Sequence, residues 1–340
     1  MKVYITKVSS PNQLKAQLRE ALEWLGWQEI IQREARVFVK PNLTWRVPVP
    51  GVTTSPEFIE AVVSILKERS GRITIGEADG GYHSYVAEEA FQSHGLTDLA
   101  KRYDVQLLNL SKEPVEVRTV VLAGKPVDVE LPRTLLSQTD VFITLPVPKV
   151  HAMTGVSLAF KNQWGCQPGT MRLRNHPDFV RKIIAINRLL KPRLALFDGK
   201  YFLDKTGPMI GKAVRMDLLL AADSAGAGDL ACCELMGIDP RRIRHFRLAQ
   251  QVGMMPSSLE EIKTNQDIVP LRTHRFRLER TLINWIALTA FHSRIGTRLF
   301  YDSPLAGPFH TVLYAIRRNP LVSRILYGSV GPPTVEGRRR

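Results

Sequence analysis

Residues 142–165, FITLPVPKVHAMTGVSLAFKNQWG, begin as a buried strand and end as a series of polar side chains. The apolar run FITL predicts a short strand that is buried on both faces. Pro146 and Pro148 each lack a backbone donor, so the strand ends there and the chain leaves on an extended path. Four polar groups then follow in short succession: Lys149, His151, Lys161 and Asn162. A simple connection needs none of them, so this stretch predicts both a strand of the fold and a site.

Strand-like and helix-like segments alternate on both sides of this stretch. The segments that predict strands are MKVYITKV, ARVFVK, RITIGE, DVFITL, RLALFD and VRMDLLLA. Serine–proline starts and apolar spacing predict helices at about 10–25, 55–66, 84–94, 177–190, 224–236 and after Asp239–Pro240. Residues 115–131 differ, because VEVRTVVL, AGKP and VDVEL predict a hairpin. The predicted fold is α/β: a mainly parallel sheet with helices on both faces, an antiparallel hairpin insert near 115–131 and a helical, basic C-terminal extension.

Polar side chains follow five of the predicted strands at the point where each strand ends. Ligands of open α/β sheets bind in the crevice beyond the carboxyl ends of the strands. Turn residues such as aspartate and glycine also occur there for structural reasons, whereas lysine is less readily explained as a turn residue. The strand ends are Lys40 with Asn42, Glu77 with Asp79, Lys149 with His151, Asp198 with Lys200, and Asp223 with Asp229.

These groups predict a site for a small anion. Thr154 is predicted to cap a helix through residues 156–160, Gly155 allows a close approach of ligand to backbone, and a helix start offers N–H groups to an anion. A phosphate or carboxylate is then held by lysines, with two amides orienting it. His151 is the candidate acid–base group, with Lys149 beside it, because the imidazole titrates near neutral pH. The substrate-binding set is Lys40, Asn42, Thr154, Gly155, Lys161, Asn162 and Lys200.

The acidic strand ends give a second hypothesis, a metal site. Carboxylate oxygens are the ligands that Mg²⁺ prefers, and Mg²⁺ often accompanies phosphate-bearing substrates. The candidate ligands are Glu77, Asp79, Asp198, Asp223 and Asp229. His151, Cys166 and His176 lack the spacing of a standard zinc site.

Composition favours a cytoplasmic globular protein. The 340 residues are 44% hydrophobic and 23% charged, which is typical of a soluble chain with a sizeable core. The first residues, MKVYITKVSS, do not resemble a signal peptide, and no apolar run reaches the about 20 residues of a transmembrane helix. The three cysteines form no disulfide framework.

Six segments, in order, resemble the DUF362 family, a domain of unknown function. They are VKPNL, TSPEFIEAVV, IGEADGG, LPVPKVHAMTGVSLAFKNQWGC, LFDGKYFLDKTGPMIG and AADSAGAGDLACCELMG, spread from about residue 37 to residue 256. The most specific block is K-x-H-x-x-T-G followed by K-N. Some members of the family carry a ferredoxin-like iron–sulfur insert. Three scattered cysteines cannot ligate a four-cysteine cluster, so no iron–sulfur cluster is expected in this chain.

The chain divides into a DUF362-like α/β domain at 1–270, which could have two lobes, and an arginine-rich extension at 271–340. The extension contains 12 arginines, no lysine and three acidic residues, in a chain of net charge +15. Its run from Leu282 to Phe291 is apolar almost all round as a helix, so it must be covered. Packing on the parent domain or in a homodimer, and contact with an anionic membrane surface, are both compatible with this pattern. Nucleic acid is the least favoured partner, because the interleaved apolar residues resemble buried area.

The leading hypothesis is a cytoplasmic enzyme, of unassigned reaction, that binds a small phosphate- or carboxylate-bearing metabolite at the carboxyl edge of the sheet. The alternative is a non-catalytic binding or scaffold protein that attaches peripherally to anionic membranes through its C-terminal helices. The two hypotheses differ in where the functional surface lies, at the strand ends or in residues 271–340.

Overall fold

The structure is a computed structural model that describes residues 1–8, 10–280, 284, 285, 288, 293–304, 306–308, 311 and 312. The strands of these residues are β1 Lys2–Lys7, β2 Arg36–Pro41, β3 Arg72–Glu77, β4 Gln106–Asn109, β5 Val115–Leu122, β6 Lys125–Pro132, β7 Val141–Leu145, β8 Lys149–His151, β9 Gly155–Ser157, β10 Leu194–Asp204, β11 Lys212–Ala222 and β12 Lys263–Thr264. The helices are α1 Leu14–Leu25, α2 Trp27–Ile30, α3 Pro56–Leu66, α4 Ala87–Ser93, α5 Leu96–Tyr103, α6 Arg133–Ser137, α7 Ala159–Asn162, α8 Phe179–Leu190, α9 Ala225–Met236, α10 Arg244–Gln251 and α11 Arg294–Asp302.

One large sheet organises the described residues. Its strands follow the order β12-β1-β11-β10-β7-β2-β3-β4, with β8 pairing to β10 and β9 pairing to β8. Strands β10, β7, β2, β3 and β4 run parallel, whereas β11 is antiparallel to both β10 and β1. The prediction of an α/β fold with a mainly parallel sheet is therefore confirmed, with one long antiparallel hairpin, β10–β11, inside the sheet.

Helices cover both faces of this sheet because its central strands are apolar on both sides. In β2, Val37 and Val39 pack into the core that includes Phe58 and Leu22 of α3 and α1, whereas Phe38 packs into the opposite core. The alternation follows from the period of two residues in a strand. A buried parallel sheet of this kind leaves only the strand ends for polar groups.

The hairpin insert is also confirmed. Strands β5 and β6 form a separate two-stranded antiparallel sheet in which Val115 pairs with Pro132 and Leu122 with Lys125. The reversal is made by Ala123 and Gly124, which both have positive φ. Two positive φ values in a two-residue loop match the right-handed twist of the strands it joins.

Local predictions around residues 84–103 and 154–160 need correction. The predicted helix at 84–94 begins only at Ala87, and a further helix, α5, follows it. The predicted cap at Thr154 is wrong, because residues 155–157 form β9 and the next helix, α7, has Leu158 at its N-cap position. Gly155 has a φ of 82° in the turn between β8 and β9, and this left-handed conformation is one that glycine adopts readily.

Part of the arginine-rich extension lies within the described residues. Phe276 is buried and its ring lies 5.5 Å from that of Phe202 in β10, so the start of the extension packs on the α/β domain. The domain boundary at 270/271 stays a prediction. Of the apolar run at 282–291, residues 284, 285 and 288 alone are described, so the prediction of a covered helix lies mostly outside the described residues. No helix in the part of the chain that is described has the length and apolar character needed to cross a membrane.

Candidate functional site

The prolines after β7 direct the chain along β10. Their carbonyl oxygens accept backbone N–H groups of β10, Pro146 from Asp198 and Pro148 from Leu203, both at 3.0 Å. Lys149 then pairs with Leu203 in register. The short strand β8 is therefore fixed at the carboxyl end of the parallel strands, which is the predicted location of a ligand site.

Six basic side chains come together around β8, and we call them the basic cluster. Lys149 and His151 come from β8, Lys161 from α7 and His245 from α10. Phe179 contacts two members of the cluster: Lys161 Nζ lies 5.6 Å from the centre of its ring, and the ring of His176 lies 4.8 Å from it. The members are Lys149, His151, Lys161, Arg172, His176 and His245.

Burial and mutual repulsion lower the pKa values of four members of the basic cluster, Lys149, His151, Lys161 and His245. Burial, followed by the positive charge of Arg172, lowers the pKa of Lys161 to about 7. Burial, followed by the charge of Lys161, holds the pKa of His151 and of Lys149 well below their ordinary values. Burial and Lys161 also lower the pKa of His245 to about 3. The cluster thus resists carrying its full charge without an added anion.

No described acidic side chain forms an ion pair with Lys149, His151 or Lys161. Lys149 is wholly buried and its ammonium donates to the carbonyl oxygen of Val52. Lys161 makes a cation–π contact with Phe179 and keeps partial exposure to solvent. Lys161 is thus the more accessible amine of this cluster, whereas Lys149 is enclosed.

The hydrogen bonding of His151 determines which ring nitrogen carries its proton. The backbone N–H of Met153 donates to Nδ1 at 3.1 Å, so Nδ1 holds a lone pair. A neutral imidazole in this position has its proton on Nε2. Nε2 makes no hydrogen bond to any described residue. The ring therefore has an N–H donor at Nε2.

The start of α7 is not available to an anion. Asp229, which is entirely buried in α9, accepts the N–H of Ala159 at 2.6 Å and that of Phe160 at 3.0 Å. Burial raises the pKa of Asp229 to about 8, although the two N–H donors favour its ionised form. The predicted anion contact with the backbone at this helix start is wrong, because an internal carboxyl occupies it.

Lys40 and Glu77 form a buried ion pair. They end the neighbouring strands β2 and β3, and the distance from Lys40 Nζ to Glu77 Oε2 is 2.6 Å, with both side chains almost fully buried. The same oxygen accepts the N–H of Leu43, and Lys40 Nζ also donates to the carbonyl of Pro41. Lys40, predicted to bind substrate, is thus neutralised by a residue predicted to bind metal.

Asn162 belongs to a buried amide network. Its Nδ2 donates to the carbonyl of Lys40 at 3.1 Å and to Thr144 Oγ1 at 2.9 Å. Thr144 Oγ1 donates to Gln163 Oε1, and Gln163 Nε2 donates to Asn187 Oδ1. The network ties α7 to β2, β7 and α8, so it holds the basic cluster in place.

The five carboxylates of the metal hypothesis are not brought together. No group of three or more histidine, cysteine or acidic side chains converges among the described residues in a way that could hold a metal ion. Each carboxylate has a structural partner instead. Glu77 binds Lys40, Asp79 accepts from Ala87 N–H, Asp198 from Ser55 N–H and Oγ, Asp223 from Lys2 N–H, and Asp229 from α7.

The remaining predicted residues lie outside the basic cluster or at its edge. Lys200 is exposed on β10. The backbone N–H of Asn42 donates to Thr54 Oγ1, and its side-chain oxygen accepts from Thr44 N–H. Thr154 Oγ1 donates to the Val156 carbonyl. Gly155 packs so closely that an added Cβ would lie 2.5 Å from Ile243 Cδ1.

The sequence of this chain matches a known protein family. The family model described as "Domain of unknown function (DUF362)" matches residues 37–234, more than half of the chain. The chain belongs to the DUF362 family. The match includes β2, β3, β7 to β11 and most of α9, and therefore contains Lys149, His151 and Lys161 of the basic cluster.

The chain is similar to one curated relative and, more weakly, to two solved structures. A "Thylakoid-associated protein" of Synechocystis sp. is 26% identical over 262 residues, covering 73% of this chain and 77% of the relative. The lactate racemase apoprotein of Thermoanaerobacterium thermosaccharolyticum is 16% identical with a TM-score of 0.47, covering 70% of this chain and 57% of that one. A Thermotoga maritima protein is 14% identical with a TM-score of 0.38, covering 56% of this chain and 51% of that one.

Sequence reasoning missed three members of the basic cluster. His245 lies in α10, 84 positions beyond Lys161, and its Nε2 is buried without a hydrogen-bond partner among the described residues. His176 and Arg172 lie in the segment RLRNHPD, which was considered for zinc alone. Only His245 gave a usable signal, a histidine on the otherwise apolar face of an amphipathic helix beside Phe246.

Proposed function

We propose that this protein is a cytoplasmic enzyme that binds a small phosphate- or carboxylate-bearing metabolite at the basic cluster. The observation that carries the proposal is the convergence of six basic groups, four of them buried and Lys161 and Arg172 partly exposed, with no ion-paired acid at Lys149, His151 or Lys161 among the described residues. Burying charge without a counterion is costly, and an anion bound between these groups relieves that cost.

Two side chains take the direct roles. Lys161 is partly exposed and binds the anion through its ammonium, because its Nζ has an aromatic ring as its only described partner. His151 presents Nε2–H to the same anion as a hydrogen-bond donor, and the negative charge of the anion favours the doubly protonated ring that can act as the acid–base group. Lys149 is buried behind them; burial lowers its pKa, and an anion bound at Lys161 and His151 favours its protonated form.

Thermal stabilisation by small anions tests the proposal. The full-length protein is melted with and without inorganic phosphate and a series of small phosphate and carboxylate compounds. Saturation at a hundred times the Kd raises the free energy of unfolding by ~2.7 kcal/mol. His151→Gln and Lys161→Met are expected to reduce this gain, whereas the control Lys101→Met, on the exposed face of α5, leaves it unchanged. An equal response of all four proteins would exclude the basic cluster as the site.

A second candidate function is peripheral attachment to an anionic membrane. Ile295 and Leu299 of α11 are 82% and 57% exposed, whereas Thr297 and Tyr301 on the other side of the helix are buried. The two exposed side chains lie one turn apart, with exposed Arg298 between them. An amphipathic helix with this pattern binds the interface of anionic lipid. The Synechocystis relative is named as thylakoid-associated, which supports the same function.

Sedimentation with vesicles tests this attachment. The full-length protein is expected to pellet with vesicles of phosphatidylglycerol and phosphatidylcholine at low salt, and Ile295→Ser/Leu299→Ser is expected to reduce pelleting. Val117→Ser/Val121→Ser is the control, because these valines are equally exposed on the β5–β6 hairpin. No pelleting of the unchanged protein, or the same loss in both variants, would contradict a membrane role for α11. Self-association without vesicles would instead indicate contact with a second copy.

A further inference from the structure

A second group of basic side chains surrounds a cavity at the end of the β10–β11 hairpin, outside the basic cluster. The cavity has a volume of about 390 Å³ and is lined by Asp204, Lys205, Lys212, His274, Arg275 and Arg277. We call it the cationic cavity. Five of its six lining residues are basic types. Its volume lies within the range of sites that bind small molecules.

The single acid of the cationic cavity is already engaged. Asp204 is buried, and its Oδ1 accepts the backbone N–H groups of Lys205 and Arg277, both at 2.8 Å. Its Oδ2 lies 2.8 Å from His274 Nε2. This carboxylate therefore ties the segment at 274–277 to the hairpin, and its lone pairs are directed at groups that build the cavity wall.

The wall opposite the hairpin is held in place by packing. Phe276 is buried against Phe202, and its N–H donates to the carbonyl of Met236 at 2.9 Å. Its two neighbours, Arg275 and Arg277, are exposed and both line the cavity. With Phe276 anchored in the core, the flanking guanidinium groups are positioned together at one opening.

Three cations of the cavity lack a described acidic partner. Lys205 pairs with Glu279, and His274 with Asp204. Lys212 stands opposite Asp204 in the β10–β11 register, yet neither Lys212, Arg275 nor Arg277 forms an ion pair with any acid in the described ranges. An excess of positive charge thus remains at a fixed concave surface.

We propose that the cationic cavity binds a phosphate group. Two guanidinium groups beside an ammonium match the geometry of phosphate oxygens, since guanidinium can donate two parallel N–H bonds and ammonium adds a point charge. The phosphate is either that of a soluble phosphate ester or that of a lipid headgroup. This site is separate from the basic cluster and does not depend on it.

Titration calorimetry with inorganic phosphate and the full-length protein tests the proposal. Arg275→Gln/Arg277→Gln is expected to weaken phosphate binding about tenfold or more, because a lost charged hydrogen-bond pair commonly costs at least that factor. Arg241→Gln/Arg242→Gln is the control. It removes the same charge from two exposed arginines that pair with Asp239 and do not line the cavity, and it is expected to change affinity less than about twofold. Lys212→Gln breaks no described side-chain bond, and serves as a second variant with a smaller loss of affinity.

Two further measurements separate this site from others and identify the source of the phosphate. In Lys161→Met protein, where the basic cluster is disabled, the remaining phosphate binding must still respond to Arg275→Gln/Arg277→Gln. A response in inorganic phosphate indicates a soluble ligand. A response confined to phosphatidylglycerol vesicles, absent with phosphatidylcholine alone, indicates a lipid headgroup. If the double variant matches the Arg241/Arg242 control in every titration, the cationic cavity is no phosphate site.

Discussion

Replacing Lys161 by methionine should stabilise the ligand-free protein. The pKa of Lys161 falls to about 7 from its ordinary value of 10.5, first through burial and then through Arg172. Each unit of depression corresponds to about 1.4 kcal/mol, so the charged ammonium opposes folding by up to ~5 kcal/mol at pH below 7. Residual exposure of the side chain and loss of the cation–π contact with Phe179 reduce the expected gain to ~2–4 kcal/mol.

The sign of the pH dependence follows from proton binding. At a pH below about 7, folded and unfolded states both bind the proton and the full cost is present. Between about 7 and 10.5 the unfolded state binds more protons, so the stability contributed at Lys161 rises with pH. Above 10.5 neither state is charged and the difference between the variant and the unchanged protein disappears.

Urea denaturation of both proteins at about pH 6, 8 and 10 measures this difference. The gain in the free energy of unfolding from Lys161→Met should be largest at the lowest pH and almost absent at the highest. A variant less stable than the unchanged protein at low pH, or a difference that is independent of pH, would refute a buried charge at this position. Lys101→Met, at an exposed position of α5, should show no pH-dependent gain.

Three further predictions concern the same region. Glu77→Gln leaves the ammonium of Lys40 buried without its counterion and should lower the free energy of unfolding by ~3–5 kcal/mol. Glu88→Gln breaks a surface ion pair and should cost less than ~1 kcal/mol. Equal losses of the two variants in urea denaturation would contradict a buried pair. Gly207→Ala should lower the melting temperature and weaken anion binding, because the added Cβ would lie 1.7 Å from the carbonyl oxygen of Val150, the residue before His151. Gly169→Ala is the control: an added Cβ there has no atom within 4 Å, so neither quantity should change. Anion affinity at the basic cluster should fall up to about tenfold per pH unit above pH 7, because Lys161 must take up a proton to bind the anion. Calorimetry in buffers of different ionisation enthalpy measures this proton uptake. Binding that is independent of pH would contradict a role for the Lys161 ammonium.

The sheet could be predicted from sequence because its signals are local. β-Branched runs, serine–proline helix starts and the AGKP turn each act within a few residues, and these elements are found where the sequence places them. The convergence of Lys149, His151 and Lys161 also followed from one stretch of chain. Such groups lie close because a strand, a tight turn and a one-turn helix keep them within a short contour.

The rest depended on partners that are distant in sequence. Asp229 accepts the N–H groups at the start of α7 from 70 positions away, so no local pattern indicates that this helix start is occupied. His245 reaches the cluster only because α10 packs against α8. The Lys40–Glu77 pair is different, because adjacent parallel strands carry both residues to one edge. The ion pair could therefore be predicted from the sequence if β2 and β3 are assumed to be neighbouring strands.

A crystal structure of the full-length protein grown with phosphate at about pH 6, where Lys161 is charged, shows directly whether an anion binds at the basic cluster. Anion binding at the basic cluster predicts tetrahedral density within about 2.7–3.2 Å of Lys161 Nζ and His151 Nε2. Phosphate bound elsewhere at saturating concentration, with both atoms enclosed by neighbouring side chains and out of its reach, would contradict it.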